Sequence, residues 1–205
     1  MKSNKALRIV AGIISILYGL HCVADFAVND RLEDCFKSLN TFMSFNISLM
    51  FILMGIGMLV GKRIIVGIGA ATVAVAEILF MFDIISELRY FSYETIIYLL
   101  LEYLLYIAAF TFLALNSFLQ KPVKALRLLT VIFIICANFV LRRMFMLIVT
   151  FEFDFENYFE FMVRNYYRNV QILVELLEMA SIILLALGLR EDPKARDAMR
   201  MEYYR

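Results

Sequence analysis

The chain has 205 residues, 63% of them hydrophobic, with a mean hydropathy of +0.80, two prolines and a formal net charge of +1. A soluble domain of this length is nearer half apolar, so the composition excludes an ordinary water-soluble fold. The small net charge decides nothing by itself, and no basic tail points to nucleic acid.

Six apolar stretches, 7–28, 41–60, 64–86, 95–118, 125–149 and 169–189, each have the roughly 20 residues that a helix needs to cross a bilayer core about 30 Å thick. The expected fold is all-α: a polytopic membrane protein built as one six-helix transmembrane bundle over 1–205. Cytoplasmic loops are enriched in Lys and Arg. Under a six-span count every basic cluster falls on one side: Lys2, Lys5 and Arg8; Lys62 and Arg63; Lys121, Lys124 and Arg127; and Arg190 to Arg205. Both termini are therefore expected in the cytoplasm (N-in, C-in).

Span one follows Lys2, Lys5 and Arg8 like a signal peptide, but its apolar run reaches about Ala24 without a small-residue cleavage site. It reads as an uncleaved span ending near His21 and Asp25 on the outer side. Span two closes on Gly55, Gly57 and Gly61, and span three opens on Gly67, Ala70, Ala71 and Ala74. Small residues four apart let helix backbones approach in lipid, so these six positions (Gly57, Gly61, Gly67, Ala70, Ala71, Ala74) are expected to pack spans two and three together or to dock a partner membrane subunit or second copy.

Glu77 lies just beyond the middle of span three. Span four runs inward and carries Glu102 about 10 Å below its outer end, with Tyr98, Tyr103 and Tyr106 on the same helix. Span five brings Arg142 and Arg143 to a similar depth. Span six carries Glu175 and Glu178, which share one helical face. The seven ionisable residues Asp25, Glu77, Glu102, Arg142, Arg143, Glu175 and Glu178 thus fall in or near the outer half of the membrane, where charge is expensive and either pairs or serves a function. The two arginines are expected to neutralise Glu175 and Glu178, leaving Glu77 and Glu102 to be explained. Neither proline interrupts a span, so the broken-helix signature of many transporters is absent.

The last outer loop, 150–168, alternates acid and aromatic from Phe151 to Glu156. In an extended chain this would put phenylalanines on one side and acids on the other, as an aromatic belt or an acidic collar over the site. After span six, Asp192-Pro193 starts a short cytoplasmic helix expected over 193–204. Cys22, Cys35 and Cys136 form neither a disulfide framework nor a metal pattern. There is one histidine and no P-loop, dinucleotide fingerprint or nucleophile elbow. No enzyme, cofactor, metal or nucleic-acid role is expected.

In size, span count and topology the chain is similar to the substrate-binding subunits of energy-coupling-factor transporters. The likeness lies in architecture and in no diagnostic motif. It implies that the small-residue inner surface faces an energising subunit. The residues point to a protein of the cytoplasmic membrane, of bacterial type, that binds or transports a small cationic or amine-bearing solute in an outward-facing acidic pocket. Glu77, Glu102, Glu175, Glu178 and Asp25 would supply negative charge, Arg142 and Arg143 would orient the acids, and Tyr103 would offer a cation–π face. The alternatives are an accessory, immunity or assembly protein that binds a partner subunit, and an ion- or proton-conducting oligomer.

Overall fold

Long apolar runs with no internal proline leave each backbone amide a partner four residues back, and helix results. The computed structural model describes residues 3–28, 39–86, 92–119, 121–150, 152, 154–166 and 170–189. They form α1 (Ser3–Val28), α2 (Leu39–Val60), α3 (Arg63–Ser86), α4 (Tyr93–Phe118), α5 (Lys124–Ile135), α6 (Arg142–Phe145), α7 (Phe155–Tyr166) and α8 (Val170–Gly188). Two π-helical segments, Cys136–Leu141 and Met146–Thr150, flank α6, so the helical rod begun by α5 runs on to Thr150. Five stretches are long and apolar enough to cross a membrane: Lys5–Val28, Leu39–Val60, Arg63–Asp83, Tyr93–Phe118 and Lys124–Val149. The chain is a helical, multi-pass, membrane-embedded protein. The helix expected at 193–204 and the outer-side Cys35 lie outside the described residues.

The long helices pack as a ring in chain order. α1 lies on α2, α2 on α3, α3 on α4 and α4 on α5, and α8 closes the ring between α5 and α1. Phe51, Met54, Phe110, Leu113, Ile134, Ile182 and Leu185 fill the centre. Tyr18, Phe51 and Phe110 meet edge to face, with ring centroids 4.6 Å and 5.9 Å apart. Lipid is as apolar as these side chains, so the ring is held by close packing and interhelical hydrogen bonds more than by transfer from water. The α1–α2 seam illustrates this. A Cβ on Gly12 would sit 2.9 Å from the Gly55 carbonyl oxygen, and one on Gly19 would sit 2.6 Å from that of Ser48. The Ser15 hydroxyl then donates across the seam to the Phe51 carbonyl at 2.7 Å.

The basic end of the bundle has its own device. α2 stops at Gly61, whose φ of +80° is open to glycine and costly for other residues. The Lys62 amide donates back to the Gly57 carbonyl at 2.9 Å and the Gly61 amide to that of Met58 at 3.2 Å, the paired bonds of a Schellman ending. Arg8 reaches across from α1 and donates from Nε and Nη2 to the same Met58 carbonyl. A cation thus covers the negative end of the α2 dipole.

The 150–168 segment corrects an expectation. Phe155–Tyr166 is helical and not an extended alternating piece, while Phe151 and Phe153 lie outside the described residues. Asp154 accepts from the Asn157 amide at 3.1 Å and from the Asn157 side-chain amide at 2.6 Å, and so caps the first turn. Phe155 and Phe159, four apart, then share a helical face. The cap outweighs a period-two pattern only a few residues long.

Candidate functional site

α6 and α8 supply the ionic part of the site. Arg142 Nη1 lies 2.9 Å from Glu175 Oε1, and Arg143 Nη2 lies 3.5 Å from Glu175 Oε2. Both arginines therefore close on one carboxylate, where the sequence led us to expect them shared between Glu175 and Glu178. Long side chains let two adjacent residues, about 100° apart around a helix, converge on one partner. Arg142 also faces Glu102 and the Tyr98 hydroxyl. Tyr98 is held in place by stacking on Phe145, with ring centroids 4.2 Å apart. Tyr98, Glu102 and Tyr106 are spaced by four and line one face of α4.

Glu178 has a different environment. Its hydrogen-bonding neighbours are the hydroxyls of Tyr18 on α1 and Tyr106 on α4, with Arg142 and Glu102 further off. Tyr106 donates to Asn138 Oδ1 at 2.9 Å, and Asn138 Nδ2 donates to the Ile134 carbonyl at 3.2 Å. Asn138 lies in the first π segment, where the wider turn disturbs the regular carbonyl ladder; π turns are frequent at functional sites. Glu77 on α3 lies within Coulomb reach of Glu102 and Glu178. Among the described residues it makes no hydrogen bond or ion pair. Tyr103 sits within reach of Glu77 and Glu102 and packs near Phe80, with centroids 6.3 Å apart.

A cleft of about 280 Å³ opens between α1, α2 and α8. Asp25 and His21 line it and are exposed, Ser44 and Ser48 give it a hydroxyl wall, and Phe26, Ile47 and Val174 give it an apolar one. Tyr18 and Cys22 also line it, and Tyr18 links it to Glu178. Val174 lies one turn before Glu178 on α8. Seven of the eight predicted site residues, Glu77, Glu102, Tyr103, Arg142, Arg143, Glu175 and Glu178, are thus brought into one polar region inside the bundle, and Asp25 is separate, on the cleft wall.

The small residues are engaged within the chain. A Cβ on Gly57 would lie 3.0 Å from Ile65, one on Gly61 would run into the Arg8 guanidinium, and one on Gly67 would lie 2.8 Å from Phe118 of α4. Ala70 and Ala74 are buried and Ala71 packs against the core.

No family model, curated protein or solved structure matches the chain.

Sequence reasoning missed Tyr18 as the link to Glu178, and it missed Asn138 as the partner of Tyr106. The only available signal was the coincidence of depth: Tyr18, Tyr106, Asn138 and Glu178 fall at similar heights when spans alternate in direction.

Proposed function

We propose that the protein binds or transports a small cationic or amine-bearing solute, received in the cleft between α1, α2 and α8. The observation that carries this reading is the acid excess next to the cleft. Among the described residues the ion pairs of Arg142 and Arg143 both run to Glu175, and Glu178, which touches the cleft through Tyr18, has the Arg142 charge only at longer range. Asp25 adds a further carboxylate on the cleft wall. Cations are favoured where carboxylates outnumber bases in a low-dielectric wall.

In the same reading α8 is the sixth crossing. It is an apolar helix of 19 residues that closes the ring between α5 and α1. With six crossings, the one-sided Lys and Arg support cytoplasmic termini and a cleft that opens on the outer face of a cytoplasmic membrane. The role is binding or transport, not catalysis. The alternative of a partner-docking protein draws little support from the small residues, because Gly57, Gly61 and Gly67 each press on a side chain of this chain.

A thermal-shift screen of the purified protein against amines, amino acids and vitamins tests the proposal. Stabilisation by amines that Glu102→Gln or Glu178→Gln abolishes, with intact folding, is the expected result. No stabilisation by any cation or amine would overturn it.

A further inference from the structure

The cleft between α1, α2 and α8 is graded along its length. Asp25 is exposed at its mouth, Phe26, Ile47 and Val174 are half-buried along its walls, and Tyr18 and Ser48 are buried at its floor. Two contacts set the register of the α1 and α2 walls. A Cβ on Gly19 would lie 2.6 Å from the Ser48 carbonyl oxygen, and the Phe26 and Phe45 rings meet edge to face with centroids 5.7 Å apart. Ser48 is therefore level with Gly19, six residues short of Asp25. At 1.5 Å per residue the Ser48 level lies about 9 Å below the Asp25 level.

Each level offers its own chemistry. The carboxylate at the mouth suits an ammonium, and the side chains of Phe26, Ile47 and Val174 below it offer only apolar surface. At the floor the Ser48 hydroxyl donates to the Ser44 carbonyl at 3.1 Å, the back-bond of a helical serine, so its proton is committed. A serine oxygen keeps two acceptor lone pairs, and a ligand O–H can donate to it even with the Cys22 thiol on the same wall. Among the described residues no carboxylate lines the floor. A second ammonium there would be stripped of water without a counter-charge, which is costly.

We infer that the solute is an amphiphilic monoamine, with a primary ammonium at Asp25, an apolar body along the walls and a terminal hydroxyl that donates to Ser48. The inference deepens the cation-binding reading of the cleft and rests on it. The ammonium stays at the wet end, where its remaining N–H groups keep their water. An exposed ion pair contributes little by itself, so Asp25 sets the charge and direction of the ligand. The apolar walls supply most of the affinity, because the body of the ligand leaves water as it lies against them. The hydroxyl finds its acceptor at the floor. Diamines are disfavoured by that same floor, and short hydrophilic amines leave the walls wet.

Isothermal titration of the protein in phosphatidylcholine nanodiscs, with empty nanodiscs as the blank, tests the inference on ethylammonium, hexylammonium, aminohexanol and diaminohexane. Hexylammonium should bind tighter than ethylammonium, by up to about fourfold per methylene buried. Aminohexanol should exceed hexylammonium by about 2- to 10-fold, the size of one hydrogen bond, and diaminohexane should bind more weakly than either. Ser48→Ala should erase the aminohexanol advantage, and Asp25→Asn should weaken the monoamines by about 2- to 5-fold. The wild-type ranking carries the test if a variant fails to fold. Diaminohexane binding as tightly as aminohexanol, or aminohexanol binding no tighter than hexylammonium, overturns the inference and leaves the cation site standing. An aminohexanol advantage that survives Ser48→Ala does the same. No binding of any of the four amines overturns both.

Discussion

The Tyr106 hydroxyl donates to Asn138 at 2.9 Å, joining α4 to the first π segment at the depth of Glu178. It is an interhelical hydrogen bond inside a membrane bundle. Double-mutant cycles on such bonds average about 0.6 kcal/mol with a maximum near 1.7. A cycle of Tyr106→Phe and Asn138→Ala, read by unfolding in mild detergent, should give a coupling energy of about that size. A coupling of zero would show that the two side chains do not share a proton.

Glu175 and Glu77 should respond differently to the same substitution. Glu175→Gln leaves Arg142 and Arg143 without their shared carboxylate. An unpaired arginine at the middle of a span costs about 2.5–3.5 kcal/mol on insertion scales. Part of that is recovered here because Arg142 is 33% exposed and can turn to Glu102 or to water. Glu77→Gln removes an acid that has no base on it among the described residues and should be neutral or stabilising. Yield and melting temperature of the two variants, measured side by side, check the difference. Equal losses would mean that the arginines do not depend on Glu175.

Gly61 closes α2 at φ +80°, with the Arg8 guanidinium against it. Left-handed geometry costs a residue with a Cβ about 1–2 kcal/mol, and the added methyl would also push Arg8 off the Met58 carbonyl. Gly61→Ala should lower the melting temperature more than Arg8→Lys, which keeps a cation at the helix end. The reverse order would show that Arg8, not the turn, sets the α2 ending.

α7 carries a pH dependence. The amide and side-chain NH2 of Asn157 hydrogen-bond the Asp154 carboxylate and hold its pKa below the ordinary value. A depressed folded-state pKa gives stability that is present above the unfolded value, near 3.9, and lost as pH falls through the folded one. Amide exchange in the first turn of α7 should therefore speed up in acid, while Asp154→Asn, an uncharged cap, should lose that dependence. Acid-induced loosening that persists in the Asn variant would place the titrating group elsewhere.

Much of this architecture could be read from residue order. Long apolar runs without proline set the five long helices to within a few residues, and the i, i+3 spacing of Glu175 and Glu178 put both on one face of α8. What could not be read was partner choice. Whether Arg143 turns to Glu175 or Glu178 depends on the twist of the α6 turn between two π segments, and no glycine or proline marks those segments. The acid–aromatic run before α7 was misleading because Phe155 and Phe159 fit a helix face as well as a strand face, and the Asp154 cap decides between them. The cleft joins α1, α2 and α8, helices from opposite ends of the chain, so only the closing of the ring creates it.

Cys22 offers the most direct test of the outward, acid-biased cleft, because it is half-buried on the cleft wall beside Tyr18. In a variant carrying Cys35→Ser and Cys136→Ala, intact cells would be treated with membrane-impermeant methanethiosulfonates, one cationic and one anionic. The account predicts labelling of Cys22 from outside, faster with the cationic reagent than its intrinsic reactivity explains, and slowed by an alkylammonium ion. Labelling only after permeabilisation, or with equal preference for the anionic reagent, would contradict it.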